Sequence, residues 1–279
     1  MAKNLLKKIT TGLICGVMMF SLVSCSGKDA SETGAKPAGL VDKIKKSGKL
    51  IVATNPEFAP FEFITMENGK EKVTGADIML AEEIAKDLGV ELTVNSMNFE
   101  GLLQALSAGN CDMVIAGMNP TPGRRENVDF SELYYGDSPQ VLLINKKSAD
   151  KIKLQKDLDG KIVGAQKGSV QEDVVTNELK GSKLKAMPNI PNLLLELKNG
   201  RIDALVLEKP IAEEILKSSS KDLQMAGFEI DIDYSGYAIA MKKGNEDLVT
   251  EVNKTIERVN KEGLFEKFLE NSKKLIEKK

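Results

Sequence analysis

No histidine occurs anywhere in the 279-residue sequence, and no tryptophan. Without imidazole there can be no Ser-His-Asp or Cys-His nucleophile and no zinc site with His ligands. Any catalysis would fall to carboxylates, lysines or tyrosines. A basic stripe is missing too. Lysine and arginine total 39 against 41 acids, for a net charge of −2, so nucleic acid is not an expected partner. The three cysteines are too few for a disulfide framework once the leader is discounted. No apolar run has the length of a plain membrane span. What is present is an ordinary globular balance, 42% hydrophobic and 29% charged, in a chain long enough for one large or two small domains.

Lys3, Lys7 and Lys8 followed by apolar residues 9–23 form an export signal. It ends Leu22-Val23-Ser24-Cys25, which resembles the lipobox of bacterial lipoproteins, so Cys25 is the expected lipid anchor; Cys15 follows a poorer match. Cleavage before Cys25 would remove 24 residues carrying three lysines and no acids, leaving 255 residues at net charge −5. Cys111, the other cysteine left, reads as a small buried hydrophobe. Residues 26–37 are small and polar, a flexible tether.

From Leu40 the texture becomes α/β. Leu50-Ile51-Val52-Ala53 reads as a strand, and residues 54–63 as a loop held open by Pro56 and Pro60. There Phe61 or Phe63 would pin the loop to the core, while Phe58 has the neighbours of a ligand contact. A helix at 76–88 ends at Gly89, which suits a C-cap. A strand at 92–97, a helix at 99–106 and a short strand at 112–116 follow. Gly117 stops that strand, Pro120, Pro122 and Gly123 predict an irregular loop, and Arg124 and Arg125 come next. Those arginines read either as a solvated pair or as a carboxylate grip.

The pattern then restarts, with strands at 140–145, 161–165, 184–187 and 203–207 and helices at 170–179, around 193–197 and from 211. A strand at 237–241 and two helical segments at 248–259 and 264–276 close the chain. This order implies two α/β lobes, each a mostly parallel sheet flanked by helices, the second inserted into the first. The expected organisation is a signal peptide at 1–24, a tether at 25–39, lobe one at 40–134, lobe two at 135–234 and a return to lobe one at 235–279. The short polar connectors 135–138 and 231–236 suit hinges.

Ligands of open α/β sheets bind beyond the carboxyl ends of the strands. Four ends carry suitable residues: 55–58, 117–124, 166–170 and Glu208. Gly168-Ser169-Val170 opens a helix, whose amides favour an anion; Ser169 reads equally as the N-cap, which does not exclude that role. Glu208 reads as an ammonium partner or as a solvated loop acid. Together the four ends offer a cation, an anion nest, a carboxylate and an aromatic, the fittings for a free α-amino acid.

From about Leu40 to Lys274 the chain resembles the solute-binding proteins of polar amino-acid ABC transporters, with the type II periplasmic-binding fold. The residues that carry this are 53–63 (ATNPEFAPFEF), Thr74-Gly75-Ala76-Asp77-Ile78, Ala116-Gly117-Met118-Asn119 with Arg124 and Asp129-Phe130-Ser131, Leu158-Asp159-Gly160-Lys161 and Gly200-Arg201-Ile202-Asp203-Ala204. The resemblance implies two lobes on two hinge strands that close on an amino acid. It also implies a monomer without cofactor or metal, on the outer face of the cytoplasmic membrane, delivering to a permease and its ATPase. Arg124 would then clamp the ligand carboxylate, helped by the Ser169 and Val170 amides. Glu208, where aspartate is more usual, would take the ammonium with the Gly117 carbonyl and Asn119. Phe58 and Phe99 would sandwich the side chain, with Asn55 and Gln166 at its tip. Asn55 replaces a common aspartate, Val170 a frequent threonine, and the last helix lacks the usual tryptophan. The neutral amide tip implies a polar uncharged or basic ligand, glutamine placed ahead of arginine and lysine, with cationic selectivity if Glu57 turns inward.

Two other classes stay open on sequence. A dehydratase of the same fold would need Glu208 or Glu57 as its acid. A sensory component would be expected to continue into a membrane span and signalling domain.

Overall fold

Two prolines and three phenylalanines after the first strand do not leave an open loop; the stretch opens a small sheet. The chain enters through helix α1 (Leu40–Ser47) and strand β1 (Lys49–Thr54), then forms β2 (Glu57–Phe58), β3 (Glu62–Glu67) and β4 (Lys70–Thr74), paired antiparallel. Asn68 and Gly69, both at positive φ, make the turn between β3 and β4. The expectation of a loop over 54–63 is corrected by this sheet. The structure is a computed structural model and describes residues 39–136, 138–234 and 236–277. The expected export signal, Cys25 and the tether up to residue 38 lie outside the described residues.

Helix α2 (Ala76–Leu88) follows, and Gly89 closes it in the left-handed region, its N–H donating to Ala85 and Lys86 carbonyls. Strand β5 (Glu91–Ser96), a 3₁₀ turn at Phe99–Gly101, α3 (Leu102–Ser107) and the two-residue strand β6 (Met113–Val114) come next. The strand expected over 112–116 thus keeps only its centre. The irregular loop expected after it is also corrected. Thr121 Oγ1 accepts from Arg124 N at 3.3 Å, Pro122 takes the first helical position, and α4 (Pro122–Asn127) carries both arginines.

Strand β7 (Val128–Tyr135) precedes a crossing at 136–139. The second lobe then runs β8 (Gln140–Asn145), β9 (Ile162–Gln166), α5 (Val170–Asn177), β10 (Lys183–Met187), α6 (Ile190–Lys198), β11 (Ala204–Glu208), α7 (Lys209–Ser219) and β12 (Leu223–Ile230). After 231–236 the chain returns as β13 (Tyr237–Lys242), α8 (Glu246–Lys261) and α9 (Leu264–Glu277). Strands β7 and β12 have no counterpart in the sequence expectations.

The large sheets have orders β5-β1-β6-β13-β7 and β10-β9-β11-β8-β12. Only β13 in the first and β8 in the second run against their neighbours, so each sheet is mostly parallel. Parallel strands need helices on both faces, which is why β1 and β11 read as apolar runs. A shared device starts the central strands: Asp112 accepts from Ile51 N, and Asp203 from Ile162 N, both at 2.8 Å. Pairing β1 with β6 and β9 with β11 in the same sense brings four carboxyl ends to the space between the lobes.

Candidate functional site

Those four ends carry Asn55, Gly117, Gln166 and Glu208. They line one cavity together with Phe58, Glu62, Phe99, Ala116, Asn119, Ser169 and Gln171. Eight residues expected at the site from sequence therefore converge: Asn55, Phe58, Phe99, Gly117, Asn119, Gln166, Ser169 and Glu208. The remaining volume is about 10 Å³, room for roughly one water.

The walls are held by contacts that reach across the cleft. Glu208, 1% exposed, accepts from Asn119 Nδ2 at 3.2 Å through Oε1 and from the Tyr237 hydroxyl through Oε2. Burial pushes the Glu208 carboxyl up to about 8, against the pull of hydrogen bonds from Asn119 and Gln140 and of the Arg124 charge. Asn119 also donates to Gly236 O at 3.1 Å, which ties the wall to the second crossing. Gly117 sits at φ +52 with Phe58 packed on it. A Cβ there would lie 2.6 Å from the ring, so only glycine lets the backbone face the cavity.

Arg124 and Val170 do not line the cavity itself. The Arg124 guanidinium stands 5.4 Å from the Phe99 ring centroid and donates to Asn119 O at 2.8 Å and to Gly168 O at 2.9 Å. These bonds engage two of its five N–H groups and span both lobes. Burial lowers its pKa to about 10, with Asp173 and Glu208 pulling upward. At the start of α5, Gly168 N donates to Glu172 Oε2 at 2.6 Å and Ser169 N to Gln166 O at 3.3 Å. Of the anion nest expected here, Val170 N–H, the first of the helix, has no acceptor within it. Ser169 Oγ does cap the helix, accepting from Glu172 N at 3.4 Å.

At the opposite end, Asn55 Nδ2 donates to Met97 O at 3.0 Å. Gln166 Nε2 donates to Asn55 Oδ1 at 2.9 Å and to Pro188 O at 3.1 Å. Most amide hydrogens are thereby spent, and what the tip presents is chiefly carbonyl oxygen. Glu57 turns away: its carboxylate accepts from Asn189 Nδ2 at 2.7 Å and Ile190 N at 3.1 Å, capping α6 of the other lobe. Lys167 and Glu100 pair at 2.8 Å across the same cleft.

Sequence reasoning missed Glu62, Gln171 and Tyr237 as parts of the site, and Asp77 and Tyr134 behind it. Glu62 carried a signal, a lone acid between Phe61 and Phe63. Tyr237 opens an otherwise apolar strand and gave none.

A model of the bacterial extracellular solute-binding proteins, family 3, matches residues 50–272. The chain belongs to that family. Arginine-binding extracellular protein ArtP of Bacillus subtilis is 36% identical over 94% of this chain and 96% of its own. The substrate-binding protein AbpA of Streptococcus pneumoniae, solved bound to L-arginine, superposes with TM-score 0.80 at 37% identity, over 84% of this chain and 98% of that one. Ancestral arginine-binding proteins solved with arginine and with glutamine give TM-score 0.73 at 39% identity, over 80% and 97%. The family is one of extracellular solute-binding proteins. No described helix is long and apolar enough to cross a membrane.

Proposed function

We propose that this family 3 protein captures a free basic amino acid, L-arginine before lysine and glutamine, between its lobes and passes it to an ABC permease and ATPase. The observation that carries the choice is the cavity tip. Gln166 spends both N–H groups on Asn55 Oδ1 and Pro188 O, and Asn55 spends one of its two on Met97 O, so the tip offers mostly acceptors. A guanidinium has five donors and no acceptor, whereas the carbonyl of a glutamine side chain would need donors there. The arginine named for ArtP and bound to AbpA supports the same choice.

In this reading Glu208, with Asn119 and the Gly117 carbonyl, takes the ammonium. Arg124 and the Val170 amide take the carboxylate, and Phe58 and Phe99 hold the methylenes. Arg124 keeps three N–H groups beyond those on Asn119 O and Gly168 O for the ligand carboxylate, a charge-assisted bond. A cavity of about 10 Å³ cannot admit an amino acid, so the lobes part about 135–138 and 231–236 and re-close on the ligand. The chain acts as a monomer held by lipid at Cys25.

Thermal shift against the twenty amino acids tests the ligand. A ligand at 100-fold excess over its Kd stabilises by about 2.7 kcal/mol. Arginine should give the largest shift; glutamate or leucine doing so would overturn the reading. Cys25→Ala should release the protein into the medium or block its processing, and unchanged membrane association and mobility would refute the anchor.

A further inference from the structure

Behind Phe58 and Gly117, the buried carboxyls of Glu62 and Asp77 act on one another, and each leaves an oxygen without a hydrogen-bond partner. Glu62 stands on β3 and is 1% exposed; Asp77 lies in the first turn of α2 and is fully buried. Asp77 uses Oδ2 twice, accepting from Gly117 N at 3.0 Å and from the Tyr134 hydroxyl at 2.7 Å. Its Oδ1, and Oε2 of Glu62, meet no N–H or hydroxyl donor. Two ionised carboxylates in this position would pay desolvation and mutual repulsion together. A proton between them removes both penalties and satisfies both oxygens.

The groups facing the pair leave no other resolution. Tyr134 on β7 is a neutral donor, Gly117 after β6 supplies an N–H, and Glu208 on β11 adds a further negative field. We infer that Glu62 is the proton-bearing member of a carboxyl pair with Asp77, and that this pair positions Gly117 for the ligand ammonium. The Gly117 N–H is fixed by Asp77, and the packing of Phe58 against the same residue leaves its carbonyl little freedom. A neutral Glu62 also leaves Glu208 as the carboxyl that charges when the ligand ammonium arrives, opposite the Arg124 cation, an arrangement matched to a zwitterion. Burial and the neighbouring acids hold Glu62 well above the usual carboxylate range. The positioning role rests on the ligand reading above; the shared proton does not.

Two variants of the full chain test it. In Glu62→Gln an amide N–H replaces the shared proton, so L-arginine affinity should fall clearly less than in Glu62→Leu. In Glu62→Leu the buried Asp77 oxygen loses its partner, and affinity should fall roughly tenfold or more. Because the pKa of Glu62 is raised on folding, its contribution to stability is full below the unfolded value of 4.5 and declines as pH rises above it. The Tm of wild type should therefore fall relative to Glu62→Gln between about pH 5 and 8. The infrared band of a protonated carboxylic acid should also be weaker in the variant. Parallel Tm profiles with an unchanged band would overturn the shared proton. Loss of arginine binding in Glu62→Gln as large as in Glu62→Leu would overturn the positioning role. If wild type bound no amino acid, the Tm and infrared results would still stand, so the two failures are distinguishable.

Discussion

Replacing Glu208 by glutamine should move binding and stability in opposite directions. The side chain is buried, its carboxyl rises from 4.5 to about 8, and desolvation is the largest cause. A carboxyl whose pKa is raised on folding contributes its full stability below pH 4.5 and loses it as pH climbs toward 8. At pH 7 the closed arrangement has forfeited roughly 3 kcal/mol to this one group. Glutamine escapes that loss but turns an N–H toward Asn119 Nδ2 or the Tyr237 hydroxyl, at a cost of about 1 kcal/mol. The unliganded variant should thus gain about 2 kcal/mol at pH 7, the balance of those two figures, and lose about 1 kcal/mol at pH 4, where only the misdirected N–H remains. Ligand binding loses a buried ammonium–carboxylate pair, typically 2–5 kcal/mol or tens- to thousands-fold in affinity. Urea unfolding at pH 4 and 7 with calorimetric titration of L-arginine reads both. A variant that binds within about threefold of wild type, or that is less stable than wild type at pH 7, would refute the reasoning.

Arg124→Ala should cost about 2–5 kcal/mol of binding while leaving the fold intact, since its bonds go to carbonyls and a ring face; titration of the variant checks this. Glu57→Ala removes a cap that one lobe places on a helix of the other, worth about 1 kcal/mol. Arginine affinity should fall roughly fivefold, and small-angle scattering should show a more open free protein. Gly117→Ala meets both a positive φ and the Phe58 ring, so affinity should drop even though only a methyl is added.

The helices and the central strands were legible because their chemistry is local. Ala76 to Leu88 has helical apolar spacing and a terminal glycine, and β8 at 140–145 is a closed apolar run. The β3–β4 hairpin was legible in kind, since Asn68-Gly69 is a turn pair, but the prolines before it drew attention to a loop. Arg124 was read as a loop residue because Pro122 looks like a breaker, whereas at the first helical position it has no N–H to lose. Strands β7 and β12 mix polar and apolar residues, and their faces are decided by partners far along the chain. The same holds at the site. Asn55, Gly117, Gln166 and Glu208 sit at strand ends and could be foreseen, but Tyr237 and Asp77 act through residues 29 and 40 positions away. Glu57 illustrates the limit: its sequence neighbours place it by the pocket, and only the second lobe supplies the helix end that draws it aside.

The central claim is that the cleft grips both α-groups of one amino acid, the ammonium at Glu208 and the carboxylate at Arg124. Calorimetric titration of the wild-type protein with L-arginine and with agmatine, which keeps the guanidinium but lacks the carboxylate, tests it most directly. The account predicts tight binding of arginine and a loss with agmatine of at least a hundredfold, or about 2.7 kcal/mol. Agmatine binding as tightly as arginine would contradict it.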